Sequence, residues 1–238
     1  MRCALALIPI LTLAACGDDG NSCQAPVDET FDNGTCGTAV RLTGEFVDWD
    51  TDATFCGINA ATLAATGTGG TSDGSNPNGR FDLCTPDAEQ GTLTVTEPTA
   101  MSECTIPQSI YTTPTIVYYQ QDVIKSGALY SARSITDARK ATFFNDVVGV
   151  PFDGTKGQVF VHVVGTPRDI TLDAGHAGVV AIKATAWEPG TSGHEVFFGN
   201  VEITPSGTAV IGTSGCAVGV GPVPVLAGTI TNVTLNLL

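Results

Sequence analysis

From Thr38 onward the chain is built of short runs in which apolar and polar residues alternate, each run closed by Gly, Pro, Asn, Asp or Ser. A period of two cannot be satisfied by a helix, so this pattern commits most of the chain to β-strands. Val40, Leu42 and Phe46 fall on one parity, against Arg41, Thr43 and Glu45 on the other. Ala61, Leu63 and Ala65 repeat the pattern, as do Phe81 and Leu83, then Leu93 and Val95 within Thr92–Thr96. Asn78-Gly79 has the residues of a tight hairpin turn, because both tolerate positive φ. The chain carries 28 Gly and 13 Pro, enough to punctuate many short strands.

The stretch from Tyr118 to Val148 changes character, with Ala, Gln, Lys and Arg replacing the Thr/Gly pattern. Thr136 or Ser134 is a candidate N-cap for a helix from Asp137 to Val148. Ala138, Ala141, Phe144 (or Phe143) and Val148 give it an apolar face. Gly149 is placed as a C′ residue and Pro151 prevents continuation. Strands return after Gly149. Gln158 to Val164 is almost wholly apolar, as in a strand buried on both faces. Runs at Gly178 to Trp187, His194 to Ile203 and Thr208 to Gly212 follow. Thr231, Val233, Leu235 and Leu237 share one parity at the end.

The N-terminus begins with Met1-Arg2, and an apolar run from Ala4 to Ala15 closes on Leu13-Ala14-Ala15-Cys16. Twelve apolar residues are too few to span about 30 Å of hydrocarbon but suit the apolar region of an export signal. Leu13 to Cys16 resembles a bacterial lipobox. The resemblance implies a signal peptide at 1–15, cut before Cys16, and diacylglycerol plus an N-acyl chain (palmitate in this family) on Cys16. Gly17, where Asp would favour the inner membrane, implies the outer membrane.

Of eight cysteines, Cys3 leaves with the signal and Cys16 takes the lipid. Cys23, Cys36, Cys56, Cys84, Cys104 and Cys216 remain, and an even count in an exported chain reads as three disulfides. If the strands around Leu63 and Leu83 pair antiparallel across the Gly67–Gly79 turn, Cys56–Cys84 is the preferred bridge. Cys23–Cys36 follows as a short loop, and Cys104–Cys216 by elimination. Zinc is the rival, but there is no C-x-x-C spacing.

Charge is lopsided. The whole chain carries −14, and from Cys16 to Cys104 there are 15 acids and two bases, Arg41 and Arg80. An acidic surface repels phosphates, which excludes nucleic acid as a partner. Residues 16–37, with the Gly/Asp/Asn-rich stretch from Gly17 to Asp32, read as an acidic tether.

Gly57-Ile58-Asn59-Ala60-Ala61-Thr62-Leu63, the polar turn after it, and Asn78-Gly79-Arg80-Phe81-Asp82-Leu83 resemble a carboxypeptidase regulatory-like domain. That resemblance implies a transthyretin-like β-sandwich at 38–118. A weaker match implies a second, divergent sandwich at 151–238, with a helical connector at 119–150. The expected fold is therefore mainly β, with two tandem small antiparallel sandwiches of transthyretin or Ig-like type.

Signals for chemistry are sparse. His162 shares a parity with Phe160 and Val164, so a satisfied core histidine is expected; His176 and His194 fall in loops. No G-x-S-x-G elbow occurs, and no catalytic residue is assigned. Asp48, Asp50 and Asp52 alternate as Ca²⁺ ligands can, but Ala53 and Asn59 stand where an EF-hand needs Gly and Glu, so a solvated acidic cluster is favoured. No cofactor is expected. The function expected is a non-catalytic binding or structural role in the cell envelope, with the membrane, through Cys16, and an envelope protein or glycan as partners. The alternatives are a histidine-based envelope hydrolase and a carbohydrate-binding module using exposed aromatics such as Trp49 and Trp187.

Overall fold

The computed structural model describes residue 28 and residues 31–49, 56–102, 104, 108–183 and 186–238. Cys16, Cys23, Asp50 and Asp52 lie outside the described residues. Within them the chain is mainly β, as the alternation requires. The first half contains β1 (Val40–Asp48), β2 (Thr62–Ala65), β3 (Ser72–Gly74), β4 (Arg80–Thr85), β5 (Gln90–Thr96) and β6 (Thr115–Gln120). A short helix α1 (Gln121–Lys125), strand β7 (Tyr130–Ser134), helix α2 (Asp137–Thr142) and a π-helical segment Phe143–Val148 follow. The second half contains β8 (Gly157–Val164), β9 (Ile170–Leu172), β10 (Gly178–Lys183), β11 (Ala186–Pro189), β12 (Glu195–Val201), β13 (Thr208–Thr213), β14 (Ala217–Val218), β15 (Gly221–Pro224) and β16 (Ile230–Leu237).

One long sheet runs β11-β10-β12-β8-β16-β6-β5-β2-β3, with β14 paired to the end of β16. Two three-stranded sheets, β4-β1-β7 and β15-β13-β9, pack against it. They cover opposite faces, and the pleat shows how. On β6, Val117 pairs with Asn232 and Tyr118 with Val233, so successive residues point to opposite sides. Val117 belongs to a core with Leu42, Phe46, Leu63, Phe81 and Leu93 beneath β4-β1-β7. Tyr118 belongs to a second core with Val161, Phe198, Ile211, Val223 and Val233 beneath β15-β13-β9.

Each half of the chain thus builds its own core, but the halves share one sheet. Strand β16 lies parallel to β8 on one side and to β6 on the other, and seven of its eight residues are buried. A strand between two parallel neighbours has to be buried in this way; it is not the half-exposed strand of a separate second sandwich. The connector expected at 119–150 holds α1, α2 and the π-helical segment, but not helix alone. It contributes β7, parallel to β1, and Tyr130-Ser-Ala-Arg-Ser carries the alternation that marks a strand.

The helix expected from Asp137 divides after Thr142. Gly149 closes it in the left-handed region, φ 84°. The wider π turn sets Phe143, Phe144 and Val148 on one buried face, which a 3.6-residue period does not do for adjacent phenylalanines. They cap a third cluster with Trp49, Phe160 and Phe197. Trp49 sits edge-on to Phe197, Phe160 and Phe143 at 4.5, 4.9 and 5.1 Å between ring centroids.

The Asn78-Gly79 turn does not close a β3–β4 hairpin. Only Gly79 takes a positive φ, 74°, and the chain leaves the long sheet here to enter the small one, where β4 pairs with β1. A Cβ on Gly79 would lie 2.2 Å from the Phe46 carbonyl oxygen, which accepts a hydrogen bond from Ile58. Gly79→Ala therefore costs about 1–2 kcal/mol for the left-handed backbone, and displacement of β1 adds to it. A urea midpoint equal to the parent's would contradict this packing.

Candidate functional site

The two halves meet around a buried ionic junction. Arg133 comes from β7, Glu195 from β12 and His162 from β8. The antiparallel register sets Glu195 directly opposite His162. Glu195 Oε1 accepts hydrogen bonds from Arg133 Nη2 at 2.9 Å and from His162 Nδ1 at 3.0 Å. Arg133 Nη1 donates to the Asp48 carbonyl at 3.3 Å, and the guanidinium lies 5.8 Å over the Phe160 ring. The Arg133 and Glu195 side chains are each 7% exposed, and His162 is 20% exposed.

Asn232 of β16 completes the junction. Its Oδ1 accepts from Arg133 N at 2.8 Å, and its Nδ2 donates to Arg133 O at 3.1 Å. One carboxamide thus stands in for a neighbouring strand along the free edge of β7 and joins the small sheet to the long one. Burial alone would raise the pKa of Glu195. The charges and hydrogen bonds of His162 and Arg133 outweigh burial and hold the carboxyl below its usual range. Glu195 Oε2 and Trp49 Nε1 are buried without a hydrogen-bond partner.

An acidic shelf lies at the end of β1. Tyr111 donates its hydroxyl to Asp48 Oδ2 at 2.6 Å, and the Ser102 hydroxyl lies 2.8 Å from the Tyr111 hydroxyl oxygen. Burial, then the Asp48 charge, push the Tyr111 pKa upward. Glu97 Oε1 accepts from Thr115 Oγ1 at 2.7 Å and Ser134 Oγ at 2.5 Å, yet burial raises its pKa. Beside this shelf a cleft of about 400 Å³ is lined by Ile58, Pro98, Met101, Ser102, Tyr111 and the Cys56–Cys104 bridge.

The disulfide pairing differs from expectation. Cys36 bonds Cys84 and Cys56 bonds Cys104, with Cα separations of 5.5 and 5.6 Å. The preferred Cys56–Cys84 bridge fails because β4 pairs with β1, not β2. Cys84 lies opposite Arg41, whereas the Cys56 carbonyl accepts from Asp48 N. Seven residues of β1 separate those points, about 23 Å of extended chain. The Cys23–Cys36 and Cys104–Cys216 pairings fall with it, since Cys36 and Cys104 are used elsewhere. Cys216 is itself disulfide-bonded.

Of the Ca²⁺ candidates, Asp48 is buried and bonded to Tyr111, while Asp50 and Asp52 lie outside the described residues. Among the described residues no group of three or more His, Cys, Asp and Glu side chains could hold a metal. His176 Nδ1 donates to the Ala174 carbonyl, and His194 Nδ1 to the Val163 carbonyl. Thr234 is the register neighbour of His162 on β16, but its buried hydroxyl makes no hydrogen bond, so the His162–Glu195 pair has no hydroxyl relay from it. Trp49 is buried and Trp187 packs on it, so they form no exposed platform for a sugar. Sequence reasoning missed Arg133 and Asn232; both are polar residues within strand patterns, the only trace they leave.

No protein-family model and no curated protein matches the chain. Among solved structures, it is similar to a Streptococcal ancillary pilin, at 12% identity over 83% of this chain and 62% of that one, with a TM-score of 0.25. The Bacillus anthracis TIE protein gives 12% identity, 83% and 34% coverage and a TM-score of 0.26. The shaft pilin SpaA from Lactobacillus rhamnosus GG gives 7% identity, 83% and 98% coverage and a TM-score of 0.26. The chain spans less than two thirds of the length of the first two.

Proposed function

We propose that the chain is a lipid-anchored cell-envelope protein with a non-catalytic binding or structural role. The observation that carries this reading is the fate of the cysteines. Cys36, Cys56, Cys84, Cys104 and Cys216 are all disulfide-bonded, as an oxidising envelope compartment requires, and the export-type run ends at Cys16 in Leu-Ala-Ala-Cys. Two acyl chains or more give stable attachment where one does not. Gly17 favours the outer membrane, and the acidic surface favours a protein or glycan partner over a polyanion. Among the described residues no helix is long and apolar enough to cross a membrane.

The junction supports the non-catalytic part of the reading. A carboxylate shared by Arg133 and His162 through one oxygen is neutralised and sequestered, and so is a poor proton acceptor for chemistry. The hydrolase alternative needs a hydroxyl delivered to His162.

The test is Cys16→Ala. The parent is expected in the membrane fraction with a triacylated Cys16 at its N-terminus by intact-mass spectrometry. The variant is expected to be released, or to retain its signal uncut. A parent whose mature N-terminus is an unlipidated Cys16 would overturn the reading.

A further inference from the structure

We propose that Asp73-Gly74 is a self-modifying site, at which the Gly74 amide closes on the Asp73 carboxyl and turns Asp73 into isoaspartate. Among the described residues four pairs have the side chain and the following glycine that this reaction needs: Asn33-Gly34, Asn78-Gly79, Asp73-Gly74 and Asp153-Gly154. In each, glycine leaves the attacking amide unshielded by a Cβ. Ring closure then depends on whether the fold holds that amide against the preceding side chain.

Three of the pairs are engaged elsewhere. Gly34 N donates to Asp32 Oδ1 at 2.8 Å. The Asn33 side chain is spent on the Gly37 and Ala39 carbonyls and on Arg41 N. Gly79 N donates to the Asn76 carbonyl at 2.7 Å. Asp153 Oδ1 accepts from Thr155 N and Thr155 Oγ1 at 2.9 and 2.7 Å, one residue past Gly154.

Asp73-Gly74 is arranged the other way. Hydrogen bonds from Ser75 N to Ala61 O and from Ala65 N to Thr71 O set the ladder between β3 and β2. Gly74 lies opposite Thr62, in the phase of that ladder where amides point away from the partner strand. Its N–H donates instead to Asp73 Oδ1 at 2.9 Å. Asp73 Oδ2 accepts from Asp82 N of β4 at 2.7 Å, so both carboxyl oxygens are held and the carbon between them faces the amide. Gly74 is exposed, and a Cβ built on it would meet nothing nearer than the Ala61 carbonyl oxygen at 4.0 Å. The backbone therefore has room to turn into a ring.

In the first step Gly74 N bonds to Cγ of the protonated Asp73 carboxyl. The Cγ–OH bond breaks, and the hydroxyl leaves as water with the amide proton, giving a succinimide. Water then adds to one of its two carbonyls. Opening at Cγ restores Asp73; opening at the main-chain carbonyl leaves isoaspartate, and water is the sole co-reactant. Isoaspartate inserts a CH₂ into the main chain of β3 and moves the carboxylate off Asp82 N. The links that then remain between this segment and β4 include Thr71 N to Cys84 O and Cys84 N to Thr71 Oγ1. The mark thus falls on the seam where the chain passes from the long sheet to the small one.

Two measurements on the full-length protein test this. The folded protein is incubated at mildly acid pH, and succinimide plus isoaspartate at each pair is read by peptide mapping with electron-transfer fragmentation. Asp73 is expected to react at least about fivefold faster than Asp153, and the difference is expected to vanish in urea. Equal rates in the folded protein, or Asp153 first, overturn the proposal. A difference that persists in urea also overturns it, because the cause is then the local sequence and not the fold. The second measurement uses Asp73→Asn, which puts the same chemistry, with ammonia as the leaving group, at all three Asn-Gly pairs. At neutral pH the folded variant is expected to deamidate at position 73 before Asn33 and Asn78. Either of those reacting first overturns the assignment.

Discussion

Arg133→Met is expected to lower the unfolding free energy by about 3–5 kcal/mol. The cost comes less from the lost attraction than from what remains. Glu195 is 95% buried by residue, and its Oε1 would keep only His162 while Oε2 already has no partner. A desolvated carboxylate with half its compensation is the expensive species. Removing the acid as well is therefore expected to recover most of the loss. Arg133→Met/Glu195→Leu should be markedly more stable than the sum of the two single variants, with a coupling of roughly 2 kcal/mol or more in a double-mutant cycle read by urea unfolding. Additive single costs would mean that the junction does not act as a unit.

The same junction gives the protein an acid limb. The Glu195 pKa is held below its ordinary value in the folded state, while an unfolded glutamate titrates near about 4.3. Its contribution to stability is therefore complete above that value and is lost as pH falls through the lower, folded value. Glu97 works in the opposite direction. Burial raises its pKa, so folding favours its protonated form and its carboxylate weakens the fold at neutral pH. Thermal midpoints below about pH 4.3 should fall less steeply in Glu195→Gln than in the parent. Identical slopes would show that Glu195 titrates alike in both states.

The parts of this architecture legible in the sequence are those governed by near neighbours. The parity of Val40, Leu42 and Phe46 predicts which side of β1 is buried, and all three are. Thr231, Val233, Leu235 and Leu237 share a parity, and all four are buried. His162, read as a satisfied core histidine, is bonded to Glu195 but only partly buried. What fails is pairing at long range. Parity says that a strand has a buried face but not which strand lies beside it, and the sheet changes partners at Gly79. β7 was hidden within a stretch whose Ala, Lys and Arg content suggests helix. The junction draws Arg133, Glu195 and Asn232 from three strands far apart in the chain; only the fold brings them together, and no local pattern encodes it.

Removing both members of a disulfide tests that long-range pairing directly, and the expected losses rank the possible connectivities. Each bridge closes a separation of 48 residues, so the chain-entropy model gives about 4 kcal/mol for Cys36→Ala/Cys84→Ala and the same for Cys56→Ala/Cys104→Ala. The two loops interleave, since residues 56–84 belong to both. With one bridge in place the unfolded chain is already constrained across the other, so removing all four cysteines should cost less than twice that amount. Cys56→Ala/Cys84→Ala is the discriminating variant. If Cys56 and Cys84 were partners it would remove one bridge and leave the other intact. With Cys36–Cys84 and Cys56–Cys104 it breaks both and leaves Cys36 and Cys104 about 23 Å apart, at opposite ends of β1, unable to bond each other. It should therefore be less stable in urea than either single-bridge variant and show two alkylatable thiols in the folded protein. A loss equal to that of one bridge, with no new thiol, would mean that the chain is stapled along a different path.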